Sequence, residues 1–400
     1  MIQRQTYIEQ LRTLKDVQLI KVVTGIRRCG KSTLFELFRD ELLRSGISEK
    51  RIQHFNLEDP RHSGLSNWKN FYDYIKTRLV ENQMNYIFLD EIQMLTGFER
   101  LLDGLHLLKN TDVYVTGSNA YLLSSELATI LTGRAITINM YPFSFVEYVA
   151  YMEIAQPNEA DLIDYIQTGG LPQALELKKL DFNLYAMYLK DLFTTIVEKD
   201  IKTRHSIYNK KSLDDVTRFL ADSVGSSVSA NSISKALKSN HNAIDDKTVS
   251  RYIAVLNDSF MFYPVQRFDV KGKNILRTNG KQYIADTGFR NVLLGRSGMA
   301  DLGHLLENVV YLELLRRGNT VWIGKNNEHE IDFVCKDQKG YVHYYQVVLS
   351  MRNEDTKARE LRAFNAIKDH NPKVIISLDP EEPVYDGIMC RNALKWLLGC

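Results

Sequence analysis

Cysteine is scarce in this chain: four in 400 residues, Cys29, Cys335, Cys390 and Cys400, at spacings that suit no metal site. That excludes a disulfide framework and a zinc centre built on cysteine pairs. Long apolar runs are missing too, and none approaches the roughly 18 residues that a membrane-spanning helix needs. The opening MIQRQTYIEQ lacks the apolar stretch of a signal peptide, so a cytoplasmic protein with no membrane partner is expected. Excess charge of one sign is absent: the net charge is +2, and the chain as a whole is no electrostatic magnet for nucleic acid. There is no internal repeat and no low-complexity tract.

What is present is an ordinary globular composition, 44% apolar and 25% charged, in a chain long enough for two or three domains. Residues 1–155 alternate short apolar strands with amphipathic helices, the pattern of a mostly parallel α/β sheet. Residues 156–205 read as a helical lid or linker, 206–290 as three helices followed by a hairpin, and 291–400 as a further α/β unit. Helices followed by a hairpin suggest a winged helix.

The most informative string is Gly25-Ile26-Arg27-Arg28-Cys29-Gly30-Lys31-Ser32, a complete G-x-x-x-x-G-K-[ST] phosphate-binding loop. Its glycines allow backbone N–H groups to wrap a phosphate chain, Lys31 can reach the β- and γ-phosphates, and the Ser32 hydroxyl can ligate Mg²⁺. Gln18–Thr24 reads as the preceding strand and Ser32–Arg44 as the following helix, so Ser32 and Thr33 stand at a helix N-terminus that favours an anion. Cys29 also stands there, beside two arginines, and reads as a tolerated variable position of the loop. The expected ligands are ATP and Mg²⁺.

Two carboxylates end the apolar strand Tyr86–Leu89. Asp90 is expected to support Mg²⁺ and Glu91 to activate the attacking water, a role that a hydrolase needs. At the end of another strand, Val113–Thr116, Asn119, or secondarily Ser118, is a candidate to sense the γ-phosphate and position the water, with a turn cap as the alternative. Arg134, after Leu131-Thr132-Gly133, is a candidate to stabilise phosphate charge in its own subunit or a neighbouring one, with a surface ion pair as the alternative. A homo-oligomer is therefore a candidate assembly.

These motifs continue with Pro142-Phe143-Ser144-Phe145-x-Glu147, Gly169-Gly170-Leu171-Pro172, Lys199-Asp200-Ile201, Gly303-His304-Leu305-Leu306-Glu307-Asn308 and Glu330-Ile331-Asp332-Phe333. Together they resemble, over nearly the whole chain, the bacterial and archaeal AAA-type P-loop ATPases whose C-terminal half is a domain of unknown function. The resemblance implies ATP binding and hydrolysis in an AAA-like core, a winged-helix segment and a C-terminal nuclease-like fold. No settled substrate comes with it.

Residues 201–290 carry 15 Lys and Arg against 8 Asp and no Glu, a local excess of +7. DNA contact through residues 206–290 is one reading of that basic face; the other is a solvated domain packed against a protein partner. The C-terminal unit resembles the restriction-endonuclease fold, whose sites set a helical Glu, an Asp and an [E/Q]-x-K strand around Mg²⁺. Glu307, Asp332 and Gln346 match the first three roles, but Val348 stands where the lysine belongs. An apolar residue cannot stabilise a developing oxyanion, and Lys357 could replace the lysine only if the geometry brought it there. An inactive nuclease-like module is therefore the expectation.

Overall fold

The computed structural model describes residues 2–61, 67–117, 133–202, 209–239, 244–297, 299–326, 329–365 and 367–399. The chain divides into two compact units, Met1–Met140 with Asp258–Phe260, and Tyr141–Asn257 with Met261–Cys400. Among the described residues no helix is long and apolar enough to cross a membrane.

The first unit is a five-stranded, wholly parallel sheet. Its strands are β1 (Ile20–Thr24), β2 (Ile52–Asn56), β3 (Asn85–Asp90), β4 (Thr111–Gly117) and β5 (Ala135–Asn139), in the order β2-β3-β4-β1-β5. Central strands covered on both faces must be apolar throughout, and β1, β3 and β4 are buried along their whole length. Side chains alternate between the faces. Ile87 and Leu89 join Val22, Val113 and Val115 in a core capped by Phe71 and Ile75 of the Trp68–Thr77 helix and Leu101, Leu102 and Leu105 of the Phe98–His106 helix. On the opposite face, Phe88 stacks on Tyr114 at 4.8 Å and meets Phe35 edge-on at 5.2 Å. Phe35 belongs to the Lys31–Arg44 helix, whose Leu34, Phe38 and Leu42 are buried with it. The helix that follows the phosphate loop is thus pinned to the sheet by aromatic packing. This strand–loop–helix and sheet arrangement is the P-loop NTPase fold.

The second unit begins with helices, among them Glu159–Thr168, Pro172–Leu180 and Phe182–Thr195, and then Lys210–Asp222, Ala230–Ser239 and Asp246–Asp258. A mixed eight-stranded sheet follows: β6 (Phe262–Asp269), β7 (Asn274–Ile284), β8 (Thr320–Asn326), β9 (His329–Lys336), β10 (Val342–Val347), β11 (Lys373–Ser377), β12 (Val384–Tyr385) and β13 (Ile388–Asn392). Their order is β12-β13-β11-β10-β9-β8-β6-β7. The helix Leu302–Arg316 is buried on nearly all sides, with Leu305, Leu306, Val310 and Leu314 inside, which explains why its sequence shows little amphipathic contrast.

The three helices and the hairpin expected within 206–290 are present. The hairpin is not a free-standing wing, however. Strand β6 also pairs in parallel with β8, Arg267 opposite Ile323 and Asp269 opposite Lys325. The sheet therefore runs across residue 290, where the pattern of expected helices and strands suggested a boundary.

Candidate functional site

The carboxyl ends of β1, β3 and β4 lie side by side, where ligands of open α/β sheets bind. Strand β1 runs into Gly25, whose φ is +151°, and an added Cβ there would lie 2.1 Å from the Met140 carbonyl oxygen. Only glycine fits. Gly30 precedes the helix at φ +105°, and Arg28 also takes a left-handed conformation, at φ +68°. No side chain caps the Lys31–Arg44 helix, which leaves its first-turn N–H groups as an anion-binding end. The Lys31 ammonium points into the loop and donates to the carbonyls of Gly25 at 2.9 Å and Ile26 at 3.1 Å. These features fit a nucleotide phosphate chain.

Within the loop, Ile26 and Cys29 are fully buried, with Cys29 Sγ against the Met140 carbonyl. The Cys29 thiol is thereby shielded from solvent, as a structural loop position would be. Arg27 is also buried and pairs with Glu58 at 3.2 Å, whereas Arg28 is exposed. Ser32 lies exposed on the first turn of the helix, beside the half-buried Thr33.

Asp90 is 1% exposed at the end of β3. One oxygen of its carboxylate accepts a hydrogen bond from the Thr116 hydroxyl at the end of β4. The same hydroxyl accepts the Glu91 backbone N–H at 3.0 Å. Glu91 takes the left-handed region at φ 53°, and its carboxylate accepts from the Gln93 side chain. Thr116 thus ties both acidic residues to the neighbouring strand, with its donor and an acceptor in use. Sequence reasoning looked further along the chain, to Asn119, and passed over Thr116. The sign was there to read: a polar residue ending a buried strand beside another that ends in carboxylates. Ser118 and Asn119 lie outside the described residues.

The structure does not bring Arg134 to this group. Its backbone carbonyl accepts from Ile20 N–H at the opposite, amino end of β1, and its side chain pairs with Asp103 at 2.7 Å, half exposed.

A second polar cluster lies in the second unit. Glu307 of the Leu302–Arg316 helix, Asp332 and Glu330 of β9 and Gln346 of β10 come together, as the sequence suggested for three of them. What sequence reasoning missed is Lys281 on β7, only 4% exposed. Its ammonium lies 2.9 Å from Glu307 Oε1, 2.9 Å from Glu330 Oε1 and 3.8 Å from Asp332 Oδ1. Burial opposes the charge on Lys281, but Glu307, Asp332 and Glu330 outweigh it and hold its pKa above the ordinary value. Burial likewise pushes the Asp332 carboxyl well up, and the charge of Glu307 adds to this. Lys357 does not take the place left by Val348: it pairs with Glu354 at 3.6 Å and lies over the Tyr385 ring at 4.6 Å.

Residues 17–149 match the family described as an AAA domain, and residues 159–300 match a domain of unknown function, DUF8612. An uncharacterized protein of Haemophilus influenzae is 35% identical over 405 residues, covering 100% of this chain and 99% of the relative. An uncharacterized protein of Methanocaldococcus jannaschii is 28% identical over 370 residues, covering 88% of this chain and 79% of that one. The chain belongs to the family of the Haemophilus influenzae protein, and its first unit is an AAA-type P-loop domain. Among solved structures, the Aeropyrum pernix ORC1 protein in complex with DNA is similar over 76% of this chain and 94% of its own, at 13% identity and a TM-score of 0.30. Cdc6p from Pyrobaculum aerophilum is similar over 77% of this chain and 94% of its own, at 12% identity and a TM-score of 0.28.

Proposed function

We propose that the protein is an Mg²⁺-dependent ATP hydrolase whose nucleotide state drives a conformational change on a DNA or protein partner. The observation that carries this reading is the joining of Asp90 and Glu91 through Thr116 at the same sheet edge as the phosphate loop. Bound Mg²⁺·ATP supplies a γ-phosphoryl group whose charge the metal partly neutralises. Lys31 and the N–H groups of residues 25–33 hold the phosphates. Ser32 and Asp90 would hold the metal. Glu91 accepts the proton of the attacking water, and Arg134 is assigned to the site of a neighbouring subunit.

The basic balance of residues 201–290 favours DNA as the partner. Turnover measured alone, with duplex DNA and with single strands tests that choice; stimulation by neither form moves the assignment to protein. Glu91→Gln is expected to retain ATP while turnover falls about 100-fold or more, the range for loss of a general base. Near-normal turnover in that variant would remove Glu91 from the role. Lys31→Ala is expected to weaken ATP binding, and unchanged affinity would overturn the loop assignment.

A further inference from the structure

The resemblance to the restriction-endonuclease fold assigns Glu307 and Asp332 to a divalent metal, so the residues here can be tested for that fit. A hard divalent cation requires several free oxygens at about 2.0–2.6 Å. Most of the oxygens of this cluster are already hydrogen-bonded, and the two that are not, Asp332 Oδ1 and Glu307 Oε2, face Lys281 at 3.8 Å and His304 at 3.9 Å. Glu307 Oε1 accepts from Lys281 Nζ and from the Tyr283 hydroxyl. Glu330 Oε1 faces Lys281 Nζ, and its other oxygen accepts from Arg267 at 2.9 Å. Asp332 Oδ2 accepts the Val347 backbone N–H at 2.8 Å, leaving Oδ1 toward the ammonium. Gln346, in the third ligand position, brings no charge, and its Oε1 accepts the Asp332 N–H at 3.2 Å.

Lys281 is also fixed at its backbone. It bridges Ser227, and the Val228 N–H donates to the Gly280 carbonyl at 3.3 Å. Arg267, which holds Glu330, donates to the Ser227 hydroxyl at 2.7 Å. The loop at 225–228 thus straps the strand that presents the ammonium, and a Cβ at Gly225 would lie 3.2 Å from Glu307 Oε2. Metal entry would require a buried ammonium to give up its close contacts with Glu307 and Glu330 and its place beside Asp332. The residues do not fit a divalent cation.

We infer that Lys281 is the resident cation of this cluster: its ammonium takes the place between Glu307, Glu330 and Asp332 that a metal would need. The C-terminal sheet therefore carries a metal-independent polar core rather than a nuclease centre. The cluster is a latent metal site that opens when the lysine is removed. Lys281 does not supply the lysine missing at Val348, because its hydrogen bonds are spent on carboxylates and it is shut away from a scissile phosphate.

The test is Mn²⁺ binding to the nucleotide-free full-length protein, followed by electron paramagnetic resonance and by thermal unfolding. It is therefore separate from ATP turnover. Wild-type protein is expected to show the same Mn²⁺ binding as Asp332→Asn, with no difference in Tm response. Lys281→Met leaves the carboxylates without their cation and is expected to lower Tm. About 1 mM Mn²⁺ should then raise the variant's Tm by about 5 °C through one added site. Adding Asp332→Asn to Lys281→Met should abolish that rise. If Lys281→Met does not fold alone, refolding with Mn²⁺ is expected to recover it, and Lys281→Gln provides a second variant. Three results would overturn the inference: a Mn²⁺ site in wild type that Asp332→Asn removes, no Mn²⁺ rescue in either variant, or metal-dependent DNA cleavage by wild type that Lys281→Met abolishes.

Discussion

Thr116 shows how much a single hydroxyl can fix. It donates to Asp90 and accepts from the Glu91 N–H, so the turn that aims both acids is anchored to β4 as well as to its own strand. Thr116→Val keeps the side-chain shape but leaves a buried carboxylate oxygen and a backbone N–H without this partner, at a cost of about 1–3 kcal/mol in stability. Misplacing the Glu91 carboxylate by a fraction of an ångström should lower kcat by about 10- to 100-fold. ATP affinity, set by the loop, should change little. Thr116→Ser restores the hydroxyl and should recover turnover. Single-turnover hydrolysis with a separate binding titration measures both quantities; wild-type kcat in Thr116→Val would show that the tie does not position the acids.

At the scale of elements, the same logic explains the Gly169-Gly170-Leu171-Pro172 segment. A Cβ on Gly169 would lie 2.2 Å from Asp286 Oδ1, and one on Gly170 would lie 2.4 Å from the Phe143 carbonyl oxygen. The two glycines let the backbone close on the buried Asp286 carboxylate, which accepts from Gly170 N–H at 2.7 Å, Leu171 N–H at 3.1 Å and Phe289 N–H at 2.8 Å. Burial raises the Asp286 pKa from 3.8 to about 6, although these N–H donors act to lower it. A carboxyl whose folded pKa is raised binds its proton more tightly when folded. Its stabilising contribution is full below about pH 4 and is lost as pH rises through about 6, a span of about 3 kcal/mol. Asp286→Asn removes that slope, so the stability difference between wild type and variant, measured by urea unfolding, should shrink as pH rises from 4 to 7. A flat difference would mean that Asp286 titrates normally. Sequence reading found this segment as a motif but could not find its partner 116 residues away. Legibility follows that division throughout. The phosphate loop, the Asp90-Glu91 strand end and most helices are local patterns, written in consecutive residues. The pairing of β6 with β8, the Lys281 cluster and the buried Lys21–Asp112 pair depend on registers between distant strands. A lysine in an apolar strand gives no sign of being enclosed until its neighbours are known.

For the whole molecule the decisive question is whether one chain holds a complete hydrolytic site. Asn139 ends β5 opposite Thr24, on the phosphate-loop side, and Arg134 precedes the other end of the same strand. Five residues of extended chain separate them by about 16 Å, farther than an arginine side chain reaches. Among the described residues of its own subunit, the ion pair that Arg134 makes is the exposed one with Asp103, worth about 0–1 kcal/mol. Under the proposed function, so weak a contact would be exchanged for a phosphate presented by a neighbouring subunit, where a fixed guanidinium stabilises transferred charge far more strongly. Arg134→Ala should therefore leave ATP affinity and fold intact while lowering turnover by about 100-fold or more. Glu91→Gln retains Arg134 but has a dead site of its own. Mixed with Arg134→Ala, it should lend its arginine to that variant's intact site. Turnover of the mixture should then exceed the sum of the two separate proteins and rise with concentration as subunits assemble. Wild-type turnover in Arg134→Ala would leave Arg134 as a surface ion pair, and an impaired variant whose mixture is no more active than its parts would overturn its action in a neighbour's site.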